Sequence, residues 1–346
     1  MTQGNAPGGP APAAAAPEAA GTDAAKSDAT AVPNPLTGIA LKVASVAVLM
    51  LLSGSVKALE GAVPPGEVVF FRSLLALPPI VIWLMIRGDF PRALATKRPV
   101  GHALRSLAGT GAMSMMFVAL SLLPLTEVIA ITYAAPLFIT LFAAALLGER
   151  IRLYRMTAVA VGFAGVLLVM WPRLTLLGGG EAAESDPASA DHAMGALIAL
   201  GAAVMMGLAQ TQVRGLSKVE TTAAIVFWFT LSSTVLALFT LPFGWIMPTP
   251  WQLALLVTGG LAGGVGQIML TAAYRYAEAG VIAPFEYTSM ILAVAVGWFV
   301  FGEAPTLLVL AGAGLVTAGG ILIIWRERQL GLERNSSRRA KLPPIG

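Results

Sequence analysis

Apolar positions along this chain neither alternate with polar ones nor form one-sided stripes. They come in unbroken blocks bounded by charged residues, Pro and Gly. The blocks cover about 36–58, 67–86, 103–123, 126–147 and 153–171, then about 193–213, 221–245, 251–273, 280–301 and 305–325. Each is about 20 residues long, enough for a helix to cross roughly 30 Å of hydrocarbon at 1.5 Å per residue. Ten transmembrane helices are predicted; a barrel is excluded because nothing alternates with period two. Residues 1–34 are rich in Ala, Pro and Gly, with hardly a large apolar side chain to offset the entropy of ordering, and are expected to be disordered. They are not read as a signal peptide, since a basic start followed by an apolar core is missing. Residues 172–192 form the one long polar connection and are expected to be a solvated linker.

Composition supports an all-α integral membrane protein. The chain has 346 residues, 57% hydrophobic and only 12% charged, too little charge to cover a water-soluble fold of this size. The net charge of +4 is scattered over short loops and the tail, which points away from a nucleic-acid partner and towards loops on one side of a bilayer. With no cysteine, a disulfide framework and cysteine-ligated metals are excluded.

Lys and Arg also set the orientation. Arg87, Arg92, Lys97, Arg98 and Arg105 lie between the second and third blocks, and Arg150, Arg152 and Arg155 between the fourth and fifth. Arg214 and Lys218 follow the sixth block, Arg275 the eighth, and residues 327–346 form a basic tail. The opposite connections, "LLPLTE", "FGWIMPTPW" and "FGEAPT", carry no basic residue. Both termini are expected in the cytoplasm.

The pair Gly148-Glu149 recurs as Gly302-Glu303, 154 positions later. In that register Gly109 meets Gly263, Met115 meets Met269, Tyr133 meets Tyr287, Gly165 meets Gly319 and Trp171 meets Trp325; upstream, a register of 157 matches Gly38 with Gly195, Lys57 with Arg214 and Phe70 with Phe227. Residues 35–171 and 193–326 are thus read as two copies of a five-helix unit. Five is odd, so the second copy is inverted, which agrees with arginines around Glu149 and their absence around Glu303. Inverted repeats are a signature of secondary transporters.

The stretches "ALSLLPLTEVIAITYAAPLFITLFAAALLGERIRLYRMTAVAVGFAGVLLVMWP" and "AYRYAEAGVIAPFEYTSMILAVAVGWFVFGEAPTLLVLAGAGLVTAGGILIIW", with "PPGEVVFFRSLLAL", resemble the two EamA domains of the drug/metabolite transporter superfamily. The resemblance covers about residues 36–327. It implies a ten-helix transporter of the bacterial cytoplasmic membrane, a monomer or homodimer, moving small molecules. Exporters of amino acids and related metabolites, and importers of planar compounds such as riboflavin or S-adenosylmethionine, both remain open, as does proton coupling.

Ionisable groups within spans are functional candidates by default. Glu286 lies about six residues inside the ninth block, beside Pro284 and Tyr287, where a carboxyl can relay protons, grip a cation or pair with a neighbouring span's base. Arg72, five residues after Glu67, can bind an anionic group or pair with Glu67; Lys42 and Lys57 carry the same two readings. Gln210 and Gln267 offer amide donors and acceptors, and Tyr133, Tyr287 and Trp228 faces for a planar or cationic ligand; helix packing is the competing role of all five. Gly259, Gly260, Gly263 and Gly264 are expected to let helices approach closely, and Glu149 and Glu303 to cap the helix that follows each. No nucleotide loop, aspartyl pair, H-E-x-x-H motif or other cofactor- or metal-binding set is found, which argues against an enzyme. A non-transporting scaffold or receptor is the rival class.

Overall fold

The computed structural model describes residues 34–88, 90, 94–147, 153–177, 187–217, 219–277 and 279–340, nearly all helical, with no strand among the described residues. Helix starts follow local chemistry. Pro occupies the first turn of α1 (Pro35–Lys57), α2 (Pro65–Ile86) and α3 (Pro99–Leu122), where its missing N–H has no helical partner to lose. α4 (Leu125–Thr132), α5 (Ala135–Leu147) and α6 (Leu153–Leu177) complete the first half. In the second, α7 (Pro187–Leu216) precedes α8 (Thr222–Leu238), capped by Thr221 Oγ1 accepting from Ala224 N–H at 3.1 Å. α9 (Pro250–Tyr276) opens with a capping box in which Thr249 and Gln252 bond each other's backbone. Next come α10 (Ala279–Ile282) with a 3₁₀ turn (Ala283–Tyr287), α11 (Thr288–Phe301) and α12 (Leu307–Ala340).

Among the described residues, seven segments are long and apolar enough to cross a membrane, and Val159–Pro172, Thr222–Leu238 and Leu307–Leu322 are shorter apolar helices. Large apolar side chains such as Leu51, Ile82, Ile291 and Phe299 face outward, as lipid-facing residues do. Trp171, Trp251, Trp298 and Trp325 are exposed near the ends of apolar segments, where indoles prefer the membrane–water interface.

The structure corrects several expected boundaries. The fourth and ninth blocks are not continuous helices but break at Tyr133-Ala134 and over the 3₁₀ turn Ala283–Tyr287. The seventh ends at Leu238, seven residues early, followed by a 3₁₀ turn at Leu241–Phe243. The polar connection is shorter than 172–192, since α6 runs to Leu177 and α7 begins at Pro187; the tail continues α12 as far as Ala340. The expected disorder of residues 1–33 and the capping role of Glu149 lie outside the described residues.

Helices pack in reciprocal pairs: α1 on α9 and α7 on α3, α2 on α9 and α8 on α3, with α2 against α8 and α6 against α12. Glycine sets the closest approaches. A Cβ on Gly260 would lie 2.6 Å from Leu75 Cβ, and one on Gly264 would lie 2.7 Å from Pro79 and 3.0 Å from the Ala76 backbone, so the α9 stripe seats α2 as expected. Gly264→Val is expected to cost about 1–3 kcal/mol through forced separation, read as a lower melting temperature of the purified protein. An unchanged melting temperature would show that the interface yields.

Candidate functional site

Two interrupted helical segments meet to build the candidate site. In α4–α5, Pro136 cannot donate to the carbonyl of Thr132, and its ring crowds the preceding turn, so helical pairing stops at Tyr133-Ala134. In α10–α11, Pro284 does the same, and the chain tightens into the 3₁₀ turn Ala283–Tyr287. The prolines are not at matching positions, yet the breaks are. Tyr133 and Tyr287 meet edge to face, with ring centroids 5.2 Å apart and planes at 80°. The Tyr133 hydroxyl shares a hydrogen bond with Ser289 Oγ, which itself donates to the Glu286 carbonyl at 2.7 Å. The Tyr287 phenol reaches Gly320 of α12, where any Cβ would collide with it.

Beside the tyrosines, Lys42 Nζ pairs with Glu286 Oε2. Lys42 is 2% exposed and Glu286 53%, so the base is enclosed and the acid is half-exposed. Of the predicted site residues, Glu286, Tyr287 and Tyr133 are therefore brought together, and Lys42 joins them.

The others are not part of this group. Gln210 is exposed on α7 and Gln267 half-buried on α9, its carbonyl accepting from Thr271 Oγ1 at 2.8 Å. Arg72 is buried at a narrow cleft lined by Leu52, Val56, Leu256, Gly259 and Gly260. It does not pair with Glu67: that carboxylate accepts from Ile246 N–H at 3.1 Å, because the connection after α8 folds over the start of α2. Trp228 packs between α2 and α8, its ring centroid 6.4 Å from that of His102.

Two polar junctions hold the helix ends. Glu220 Oε1 accepts from Thr96 Oγ1 at 2.9 Å and from the backbone N–H of Lys97 and Arg98 at 2.7 and 3.0 Å, fixing the approach to α3. Glu303 does cap a helix, but not the one that follows it. Its Oε2 accepts from Leu125 N–H at the start of α4 at 2.8 Å, and Oε1 pairs with Lys57 Nζ at 2.9 Å, which also donates to the Leu123 carbonyl at 2.7 Å. The preceding Gly302 explains the motif: at φ +69° it ends α11 in the left-handed conformation, letting Glu303 N–H return to the Gly297 carbonyl at 2.8 Å.

Arg105 was missed as a site residue because its place near the start of α3 makes it look like a loop charge. It lies within the helix, its guanidinium 3.6 Å over the ring of Phe229. Ser289 was missed as well; its place one turn after Glu286, beyond the proline, was the available signal.

A family model described as the EamA-like transporter family matches residues 36–171 and, separately, 193–325. The chain belongs to the EamA-like transporter family. It is a multi-pass membrane transporter and not an enzyme, which removes the scaffold or receptor reading. Among relatives, it is 28% identical over 252 residues to a riboflavin transporter of Rhizobium johnstonii, covering 72% of this chain and 76% of that one. It is 26% identical over 288 residues to a pseudopaline exporter of Pseudomonas aeruginosa, covering 83% and 95%. Identity to an S-adenosylmethionine uptake transporter of Rickettsia prowazekii is 27% over 269 residues, covering 76% and 84%. A solved crystal structure superposes with a TM-score of 0.58 at 21% identity, covering 84% of this chain and 98% of that one, a likeness of fold. In many secondary transporters, discontinuous helices at the interface of two repeats free backbone groups that line the substrate site.

Proposed function

We propose that the chain is a secondary-active transporter that moves a small polar or amphipathic metabolite by alternating access, with ten membrane spans in two inverted five-helix repeats. The observation that carries this reading is the meeting of two interrupted helices at Tyr133 and Tyr287, equivalent residues of the two segments, beside the Lys42–Glu286 pair. The packing supports it. In the repeat register α1 corresponds to α7, α2 to α8 and α3 to α9, so each contact has its mirror: α1–α9 with α7–α3, and α2–α9 with α8–α3. Two like halves related by a pseudo-two-fold axis in the membrane plane can rock about a central site.

Both termini lie in the cytoplasm of a bacterial cell and the 303–306 connection outside, a reading supported by the basic residues of the opposite loops. Glu286, half-exposed and held by one lysine, is the coupling residue: a proton or a cationic substrate competes with Lys42 for it. Export of amino acids or related metabolites is the leading reading. Import of a planar compound is the second, favoured by the riboflavin and S-adenosylmethionine transporters among the relatives.

The test is uptake into proteoliposomes holding the purified protein, with a metabolite panel and an imposed proton gradient of either sign. Gradient-dependent accumulation of at least one compound, abolished by a protonophore, is expected. Accumulation indifferent to the gradient would remove proton coupling, and none for any compound would count against transport of this class.

A further inference from the structure

Beyond the tyrosine and Lys42–Glu286 centre, the structure holds a second polar group that has no internal purpose. Arg72 Nε, Arg105 Nε and Arg105 Nη1 are buried with no hydrogen-bond partner, and neither arginine makes an ion pair among the described residues. Glu67 and Glu220 are engaged elsewhere, Glu67 by Ile246 and Glu220 by Thr96, Lys97 and Arg98. The charge of Arg72 is felt at Arg105, which puts the two guanidinium groups within electrostatic reach. Ser73 Oγ and Ser106 Oγ, on the residues next to the arginines, and Trp228 Nε1 are also buried without a partner. Buried donors left unmet are costly, so a fold that retains this many has a use for them.

The repeat shows that the space is built. The Arg72 side chain fills the room left by Gly263, where a Cβ would lie 3.2 Å from Nε, and the Arg105 guanidinium fills the room left by Gly109. Gly109 and Gly263 are equivalent positions, 154 apart, and each lies near the midpoint of its helix. The same registers pair Arg72 with Phe229 and Arg105 with Gly259. One slot thus holds Arg72 against Gly259 and Gly263, and its mirror holds Phe229 against Arg105 and Gly109. The two slots draw their one arginine from opposite walls, so each keeps a single guanidinium although the sequences differ. Phe229 covers a face of Arg105, leaving its in-plane N–H donors free.

We propose that Arg72 and Arg105 together receive an oxyanion, the carboxylate or phosphate group of the transported molecule, near the middle of the membrane. This names the substrate class and rests on the transporter reading above. Guanidinium is suited to it, since its planar fork matches the two oxygens of a carboxylate or phosphate. A bound anion supplies the acceptors that the fold omits.

The test is thermal denaturation of the full-length protein in detergent, with sodium acetate or sodium phosphate compared with sodium chloride at equal ionic strength. At least one of the two anions is expected to raise the wild-type melting temperature by about 3 °C or more beyond chloride. Arg72→Met and Arg105→Met are expected to lose that excess while melting no lower than wild type without the anion, since each removes an unpaired buried charge. Arg72→Lys and Arg105→Lys keep the charge and retain part of the excess. A response to acetate alone assigns a carboxylate, and one to phosphate alone a phosphate. The inference is overturned if neither anion exceeds chloride, if the Met variants respond like wild type as in a general salt effect, or if they melt lower without anion, which would make the arginines structural. Transport of a neutral compound with no anion response sinks this inference and leaves the transporter reading standing; an anion response without transport overturns the assignment of that anion to a transported molecule together with the transporter reading.

Discussion

Glu286→Gln is expected to reduce transport at least tenfold and to lower the melting temperature, and adding Lys42→Met is expected to restore stability without restoring transport. The asymmetry follows from burial. Lys42 is enclosed at 2% exposure, so losing its partner strands an ammonium among apolar side chains. Removing one member of a buried pair costs roughly 3–5 kcal/mol, and here about 2 because the Glu286 side is open. Methionine at position 42 keeps the length of the side chain and removes the stranded charge. If the pair serves only to hold α1 against the 3₁₀ turn, the double variant should recover transport along with stability. Measuring both quantities on the same preparations decides it. Full transport in Glu286→Gln with an unchanged proton dependence would remove the coupling role altogether.

How far this centre could be read from the residues depends on which interactions are local. The apolar blocks were legible because bilayer thickness imposes one length on every span, and α1, α2 and α9 begin within about two residues of their expected starts. Pro284 announced a loosened helix beside a charged residue, but Pro136 was passed over: where the second segment has Glu286 the run 126–147 has the uncharged Thr132. Tyr133 and Tyr287 were matched by register, and their rings are in contact, as the proposed inverted repeat requires of equivalent residues near its axis. Lys42 and Glu286 are 244 positions apart, and periodicity carries no information on which faces of distant helices meet. For the same reason Glu67 was weighed as a partner for Arg72, five residues away, whereas its partner is a backbone N–H 179 positions on. Arg105 was discounted by a rule that counts charges near span ends, although arginine is long enough to reach the middle from there.

Glu303→Ala is expected to be the most disruptive change outside the centre, since three segments converge on that carboxylate. One oxygen caps the start of α4 through Leu125 N–H, and the other holds Lys57 at the end of α1, which in turn holds the Leu123 carbonyl. The cap is worth about 1 kcal/mol and the partly buried pair a further ~1–2 kcal/mol. Glu303→Gln keeps an acceptor for Leu125 and is expected to lose only the second part. If the junction also closes one end of the pathway, its loss should do more than lower the melting temperature. Thr126, one residue beyond the cap, is 1% exposed and bonds the Ala293 carbonyl at 3.3 Å. Because the chain has no cysteine, Thr126→Cys provides a single thiol. Its labelling by a maleimide is expected to rise about tenfold in the Glu303→Ala background and little in Glu303→Gln. A cysteine at the exposed Ala304 tests the sidedness on which this rests. It should react in intact cells with a reagent that cannot cross the membrane; reaction only after permeabilisation would turn the topology over. Equal labelling of Thr126→Cys with and without Glu303 would leave the junction a clamp on the fold and not a gate.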